Sequence, residues 1–167
     1  MATTCKLIAK NVLGSDAAST SFTSIPGTFD DLYLVVSVRT AHAGIDALYL
    51  QFNGDTNTGN YSGRRLVGDG ASASSSTTAA VVFANGSITT GNSFASGEAY
   101  IPNYAGSTNK SASITSMQET NATTAYGGAA ALLWSNTAAI TSATLVSANG
   151  DNLKAGSSFY LYGITKA

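Results

Sequence analysis

Alternation of hydrophobic and polar residues recurs along the chain and predicts β-strands rather than helices. In the segment LYLVVSVRT, the side chains of Leu32, Leu34 and Val36 fall on one face of an extended strand, which we expect to be central. The segment ALYLQFN alternates in the same way and ends at the turn sequence Asn-Gly-Asp. Strands are therefore predicted at residues 6–12, 20–25, 32–40, 47–53, 61–67, 79–84, 94–101, 110–119, 125–135, 140–147 and 158–165.

Turn-forming residues separate the predicted strands. Pro26 and Gly27 predict one turn, and the Gly/Ser/Thr-rich stretch GDGASASSSTT at residues 68–78 predicts a mobile surface loop. The chain shows no repeat period of the kind that solenoids and propellers have. Strands and turns that follow one another in this way are typical of a β-sandwich or barrel and not of alternating βαβ units.

The chain of 167 residues has the length of one domain, so residues 1–167 are expected to share a single core. We predict an all-β fold, an antiparallel two-sheet sandwich of the jelly-roll type with little or no helix. An immunoglobulin-like sandwich lacks support because the Cys…Trp…Cys spacing is absent from the sequence. An up-and-down barrel is the other alternative, and it would have shorter loops.

The charge content is low: 10% of the residues are charged, against about 25% in typical domains, and the formal net charge is −1. Proteins that bind nucleic acid carry a basic stripe, so this composition predicts neither a nucleic acid nor an anionic membrane as partner. Serine, threonine, asparagine and glycine supply most of the remaining polar groups. Such a surface suits a subunit packed beside other subunits, and equally a domain that contacts sugars.

The first residues do not have the pattern of a signal peptide, because Lys6 and Lys10 interrupt the only apolar stretch there. No stretch approaches the roughly 18 apolar residues that a transmembrane helix needs. We therefore expect a soluble protein made in a cytoplasm. Cys5 is the single cysteine, so it cannot form an intrachain disulfide and is interpreted as an ordinary thiol.

The residue types needed for catalysis are scarce. His42 is the only histidine and no Gly-x-Ser-x-Gly elbow accompanies it, while a zinc site would need more histidines and cysteines than the chain has. Trp134 lies in an apolar strand and is expected in the core rather than at a sugar site. The sequence predicts no enzyme and no catalytic, cofactor or metal residue. A carboxylate pair for glycoside hydrolysis would have to come from Asp46, Asp55, Asp69, Glu98 and Glu119.

Two short segments have a structural and a functional interpretation. Asn53, Asp55 and Asn57 alternate oxygen-bearing side chains, but the closing glutamate of an EF-hand is missing, which favours a plain turn over a calcium site. Arg64 and Arg65 form the only basic pair in the sequence. They are interpreted as solvated charge at a rim, or as a contact to an acidic patch of a partner subunit, because arginine is favoured at interfaces.

Three segments resemble small β-rich structural proteins of tailed bacteriophages. The first is YLQFNGDTNTGNYSGRRLVGDGASASSS within residues 48–76, where a strand ending in FNGD precedes NYS and a serine-rich loop. The second is LWSNTAAITSATLVSANGDNLKAGSSFYLYGIT at residues 133–165, and the third is PGTFDDLYLVVS at residues 26–37. The resemblance implies a jelly-roll-like module, usually a homotrimer, that decorates capsids or belongs to tail fibres and baseplates. It implies no catalytic residues.

The expected function is that of a capsid decoration (cement) protein on the outside of an icosahedral virion head, made in the host cytoplasm. Its partners would be further copies of itself and the major capsid protein. A predicted strand begins close to Met1 and leaves no shaft segment, which favours decoration over a fibre. The alternative is a tail fibre or baseplate module that recognises a carbohydrate receptor.

Interface residues are predicted in two groups. Tyrosine is enriched at protein interfaces, so Tyr33, Tyr100, Tyr104 and Tyr126 are interface candidates. The second group comes from the N-terminal residues and from the tips of loops. The candidate partner contacts in this group are Thr3, Thr4, Lys6, Asn53, Asp55, Arg64 and Arg65.

Overall fold

A computed structural model describes residues 4–121 and 124–166, which form two antiparallel β-sheets packed against each other. Strands account for 56% of the chain and helix for 2%, so the predicted all-β sandwich of the jelly-roll type is confirmed. The strands are β1 (Cys5–Val12), β2 (Ser19–Phe22), β3 (Asp31–Val38), β4 (Asp46–Phe52), β5 (Tyr61–Gly68), β6 (Ala73–Thr77), β7 (Ala80–Ala84), β8 (Ala95–Pro102), β9 (Lys110–Glu119), β10 (Ala125–Trp134), β11 (Ala143–Ser147) and β12 (Ser158–Ile164). A short 3₁₀ helix spans Thr58–Asn60.

The two sheets differ in width. The larger has eight strands in the order β1-β12-β3-β8-β9-β10-β5-β6, and the smaller has four in the order β2-β11-β4-β7. Strand β3 lies inside the larger sheet between β12 and β8, as its apolar sequence predicts. The four-stranded sheet packs against one face of the eight-stranded sheet, and the core lies between them. The other face of the eight-stranded sheet remains open.

The core lies between the inward faces of the two sheets. Leu34 and Phe159 point inward from the larger sheet, and Leu48 and Leu145 meet them from the smaller one; each is at most 1% exposed. Burial of each such side chain contributes roughly 1.5–3 kcal/mol. Trp134 is 1% exposed, which confirms that this residue belongs to the core.

The stretch predicted as a mobile surface loop at residues 68–78 is exposed but contains strand β6, so the loop prediction was wrong there, and the described residues form twelve strands rather than the eleven predicted. The Asp69 carboxylate accepts hydrogen bonds from the backbone N–H groups of Ala71 and Ser72, at 2.9 and 2.7 Å. These bonds fix a tight turn that returns the chain along β5, where Leu66 pairs with Ser75. Serine and threonine carry no hydrophobic alternation, so the pairing left no pattern in the sequence.

Gly63 lies where the chain crosses from β6 to β7. At position 63 an alanine Cβ would lie 1.8 Å from the carbonyl oxygen of Thr78, so the corner between β6 and β7 crosses directly over Gly63.

Lys110 is only 1% exposed, and its ammonium group donates to the carbonyls of Gly106, Thr108 and Thr137. Burial lowers the pKa of Lys110. Lys110 thereby holds the loop before β9 against the loop after β10.

Candidate interaction surface

The open side of β9, β10, β5 and β6 forms a continuous surface, which we call the flat face. It consists of the odd-numbered residues of β9, β10 and β6 and the even-numbered residues of β5, since successive side chains in a strand point to opposite sides. On the opposite side, Ile114 and Leu132 are buried in the core. The flat face therefore lies on the side of the larger sheet that the smaller sheet does not cover.

Large apolar side chains and small ones alternate across the flat face. Leu66 is 63% exposed, Met117 is 57% exposed and Leu133 is 37% exposed. Between them lie residues with little or no side chain, and the surface there is hollowed by two depressions of about 620 and 530 Å³. Contiguous apolar surface of this kind marks interaction sites on soluble proteins.

Strand β6 forms one edge of the larger sheet, and all five of its residues are exposed. The Thr78 N–H donates to the Gly63 carbonyl at 3.2 Å, so in this register the backbone groups of Ala73, Ser75 and Thr77 point away from β5. The strand contains no charge and no proline, which are the usual devices against pairing with another chain. At the opposite edge, β1 carries Lys6 and Lys10.

The structure separates the two arginines of the predicted basic pair, because neighbours in a strand face opposite sides. Arg64 is exposed on the flat face, whereas Arg65 points to the other side, where its guanidinium carbon lies 5.2 Å from the centre of the Phe83 ring. Burial lowers the pKa of Arg65. Arg64 is therefore the member of the pair that is accessible to a partner on the flat face.

The side chains of Asn53 and Asp55 form hydrogen bonds within the protein. The Asn53 amide oxygen accepts from the backbone N–H groups of Thr141 and Ser142, at 2.8 and 3.1 Å. The Asp55 carboxylate accepts from the indole N–H of Trp134 at 2.8 Å, which lowers the pKa of Asp55. These bonds give both residues a structural role in the turn, and their predicted partner contacts stay untested.

The N-terminal candidates lie apart from the flat face. Thr3 is outside the described residues, and Thr4 is exposed, with its carbonyl accepting from the Thr165 N–H at 2.9 Å. Lys6 is exposed on β1, which is separated from β9 by the three strands β12, β3 and β8. The predicted contacts therefore do not gather into one site.

The four candidate tyrosines have different environments. Tyr104 is fully buried and donates to the Pro26 carbonyl, so its prediction as an interface residue was wrong. Tyr126 is half-buried on the inward side of β10. Tyr33 on β3 pairs with Tyr100 on β8, which is 39% exposed. Both side chains lie on the open side of the larger sheet, on strands outside the flat face. A turn-like sequence, IPNYAG, encloses Tyr104 and gave no sign that the side chain would fold inward.

The Tyr33 hydroxyl donates a hydrogen bond to the Glu98 carboxylate, and this bond, together with burial and the negative charge of Glu98, raises the pKa of Tyr33 to about 12. The unfolded-state value is about 10, so this stabilisation is complete below pH 10 and is lost as the pH rises through 12. In a pH titration followed by the absorbance of tyrosinate, Tyr33→Phe should reduce the absorbance change near pH 12 by the amount that one tyrosine contributes. Tyr61, whose pKa burial raises to about 12, should still titrate late.

The control for this titration is Glu98→Gln, which keeps the size of the side chain and removes its charge. It should return the transition of Tyr33 toward pH 10. An unchanged late transition in both variants would contradict the assignment.

The residues considered for chemistry do not assemble into a metal centre. Within residues 4–121 and 124–166 there is no group of three or more histidine, cysteine, aspartate or glutamate side chains placed to hold a metal ion. His42 Nδ1 lies 2.8 Å from the carboxylate of Asp151, and no described serine hydroxyl hydrogen-bonds to the ring. This pair links the loop after β3 to the loop after β11. Over the same described residues, no helix has the length and hydropathy needed to cross a membrane.

Comparison with known proteins adds no relative: no family model, no curated protein and no solved structure matches the chain.

The flat face itself was not predicted, although β10 contained a signal for it. Its sequence AYGGAAALLW is apolar at successive positions instead of alternating, which is the pattern of a strand covered on both sides.

Proposed function

We propose that the protein is a capsid decoration (cement) protein that binds the outside of an icosahedral head and stabilises the shell of major capsid protein. The observation that supports this most directly is the broad open side of the eight-stranded sheet, of which the flat face covers only four strands and which presents apolar and hydroxyl groups with few charges. A rigid, charge-poor surface of this kind can lie against other subunits without like-charge repulsion. The resemblance to phage structural proteins points the same way.

The proposed mechanism is thermodynamic linkage. A protein that binds only the assembled shell stabilises it by RT ln(1 + [L]/Kd), which is about 4 kcal/mol when the free protein is present at a thousand times its Kd. Attachment at several points multiplies the effect, because each further contact forms at a high effective concentration. No single contact has to be strong.

The test adds the purified, unmodified protein to virions that lack it and locates it by immunogold labelling and electron microscopy, because a label on Cys5 would lie between the candidate contacts Thr4 and Lys6. Virions without added protein are the control. Gold spread over the heads, and DNA release at a higher temperature with the protein than without it, is the expected result. Heads that bind no label would contradict decoration.

A specific observation also favours the tail module that recognises carbohydrate. Tyr33 pairs with both Tyr100 and Tyr162 on the neighbouring strands, so three tyrosines stand side by side on the open side of the sheet. Aromatic rings arranged in a row offer apolar faces on which sugar rings stack. In the gold-labelling experiment, label confined to the tail tip would favour this function.

A further inference from the structure

The open side of β10 has the wrong chemistry for a surface that stays in water. Its outward residues are only alanine, glycine and leucine, whereas a strand with one solvated face normally alternates apolar and polar residues. Gly127, Ala129 and Ala131 lie in the middle of this strand and are exposed. The strand is thus apolar on the core side and on the open side, as strands covered on both sides are.

The strands beside β10 supply protrusions and hollows in the same small area. Leu66 on β5 pairs with Ala129, and it stands beside the depression that Gly68 and Gly127 help to line. An apolar side chain that protrudes beside an open depression gives the face a shape that a second copy can complement. Two copies related by a two-fold axis can each insert Leu66 into the hollow of the other.

We infer that the flat face packs against the flat face of a second copy of this chain about a two-fold axis. Two sheets packed in this way lie about 10 Å apart, with their side chains interdigitated. The small residues of β10 allow this close approach, and Leu66 and Met117 supply the apolar area that is removed from water.

The area of the flat face is sufficient for such a contact. Four strands about 4.8 Å apart and roughly eight residues long at about 3.3 Å per residue cover roughly 500 Å² on each copy. The pair then buries about 1,000 Å², which is the lower bound for a specific interface. The dimer is therefore expected to dissociate on dilution rather than to be permanent.

The charges on the flat face are compatible with pairing. In the described part of these four strands, its only charged residues are Arg64 and Glu119, which lie toward opposite ends of the face. Antiparallel packing brings the Arg64 end of one copy to the Glu119 end of the other, so that unlike charges share each end. Like charges would meet if the copies packed in the parallel sense.

The decisive measurement is the mass of the full-length protein by light scattering after size exclusion, over a series of concentrations. We expect a species of twice the 16.9 kDa chain mass that falls toward the chain mass on dilution. Ala129→Arg places a charged side chain in the centre of the face and should raise the dissociation constant at least tenfold. Ala18→Arg makes the same change at an exposed site before β2 and should leave the mass unchanged.

A second variant guards against a folding defect. Leu66→Ser removes the protruding side chain from an exposed position, so far-UV circular dichroism and the melting temperature should match those of the parent while dimerisation weakens at least tenfold. A parent that is monomeric or trimeric at every concentration would overturn the two-fold contact, and so would a dimer that persists in both variants.

Self-association and binding to heads are separate properties of the protein. The gold-labelling experiment reads binding to heads, and light scattering reads self-association without any capsid. Heads that bind a monomeric parent protein would sink the two-fold contact alone, whereas a dimer that binds no head would sink decoration alone.

Discussion

Gly63→Ala is expected to lower the free energy of unfolding by about 3 kcal/mol or more, because the added methyl group would overlap the chain where it crosses from β6 to β7. The Cβ would lie 1.8 Å from the Thr78 carbonyl oxygen and 2.8 Å from its carbonyl carbon. Backbone cannot rotate away as a flexible side chain can. Relief requires the corner to move, and with it the pairing of β5 with β6.

The matched control is Gly127→Ala on the adjacent strand of the same sheet. A Cβ at Gly127 meets no atom within 4 Å, because this residue faces outward. The change should alter stability by no more than about 0.5 kcal/mol, as is usual at exposed positions. Urea unfolding followed by the fluorescence of Trp134 measures both. Equal stabilities for the two variants would contradict the proposed crossing over Gly63.

The second large effect is expected from Lys110→Met. Methionine fills the space of the aliphatic stem but leaves the carbonyls of Gly106, Thr108 and Thr137 without their donor, at a cost of about 3 kcal/mol. For a chain of this length the melting temperature should fall by roughly 6–12 °C. Differential scanning calorimetry measures this shift.

Lys10→Met is the control for this change, because Lys10 is an exposed lysine on edge strand β1. Its replacement removes the same charge and should leave the melting temperature within about 2 °C of the parent. If the two lysine variants melt together, the cluster of carbonyls around Lys110 contributes nothing to stability.

The sequence was sufficient for the elements that alternate. Strands such as β3, β4 and β12 combine a buried apolar face with more exposed residues in between, so their position and inward side follow from period two. The core location of Trp134 followed from the apolar residues around it. These predictions depend on local pattern alone, and local pattern determines which side of a strand is buried.

The elements that the sequence missed depend on contacts between distant residues. Strand β6 exists because Asp69 shapes a turn and β5 offers a free edge, neither of which hydrophobicity records. Tyr104 packs in the core, and its hydroxyl donates to the carbonyl of Pro26, 78 residues away along the chain. The candidate surface was missed for the same reason, since only the sheet order places Leu66 and Met117 on either side of β10.

The strand order also has a kinetic consequence. Strand β3 is among the most apolar of the chain, yet its two partners are β8, some way further along, and β12, the last strand. Loops of this length close slowly, and a chain leaving the ribosome exposes β3 until both partners have been synthesised. The nascent protein therefore passes through a period in which both edges of β3 are unpaired. Other unfinished chains can associate with these edges, so the yield of folded protein should fall as the concentration of unfinished chains rises.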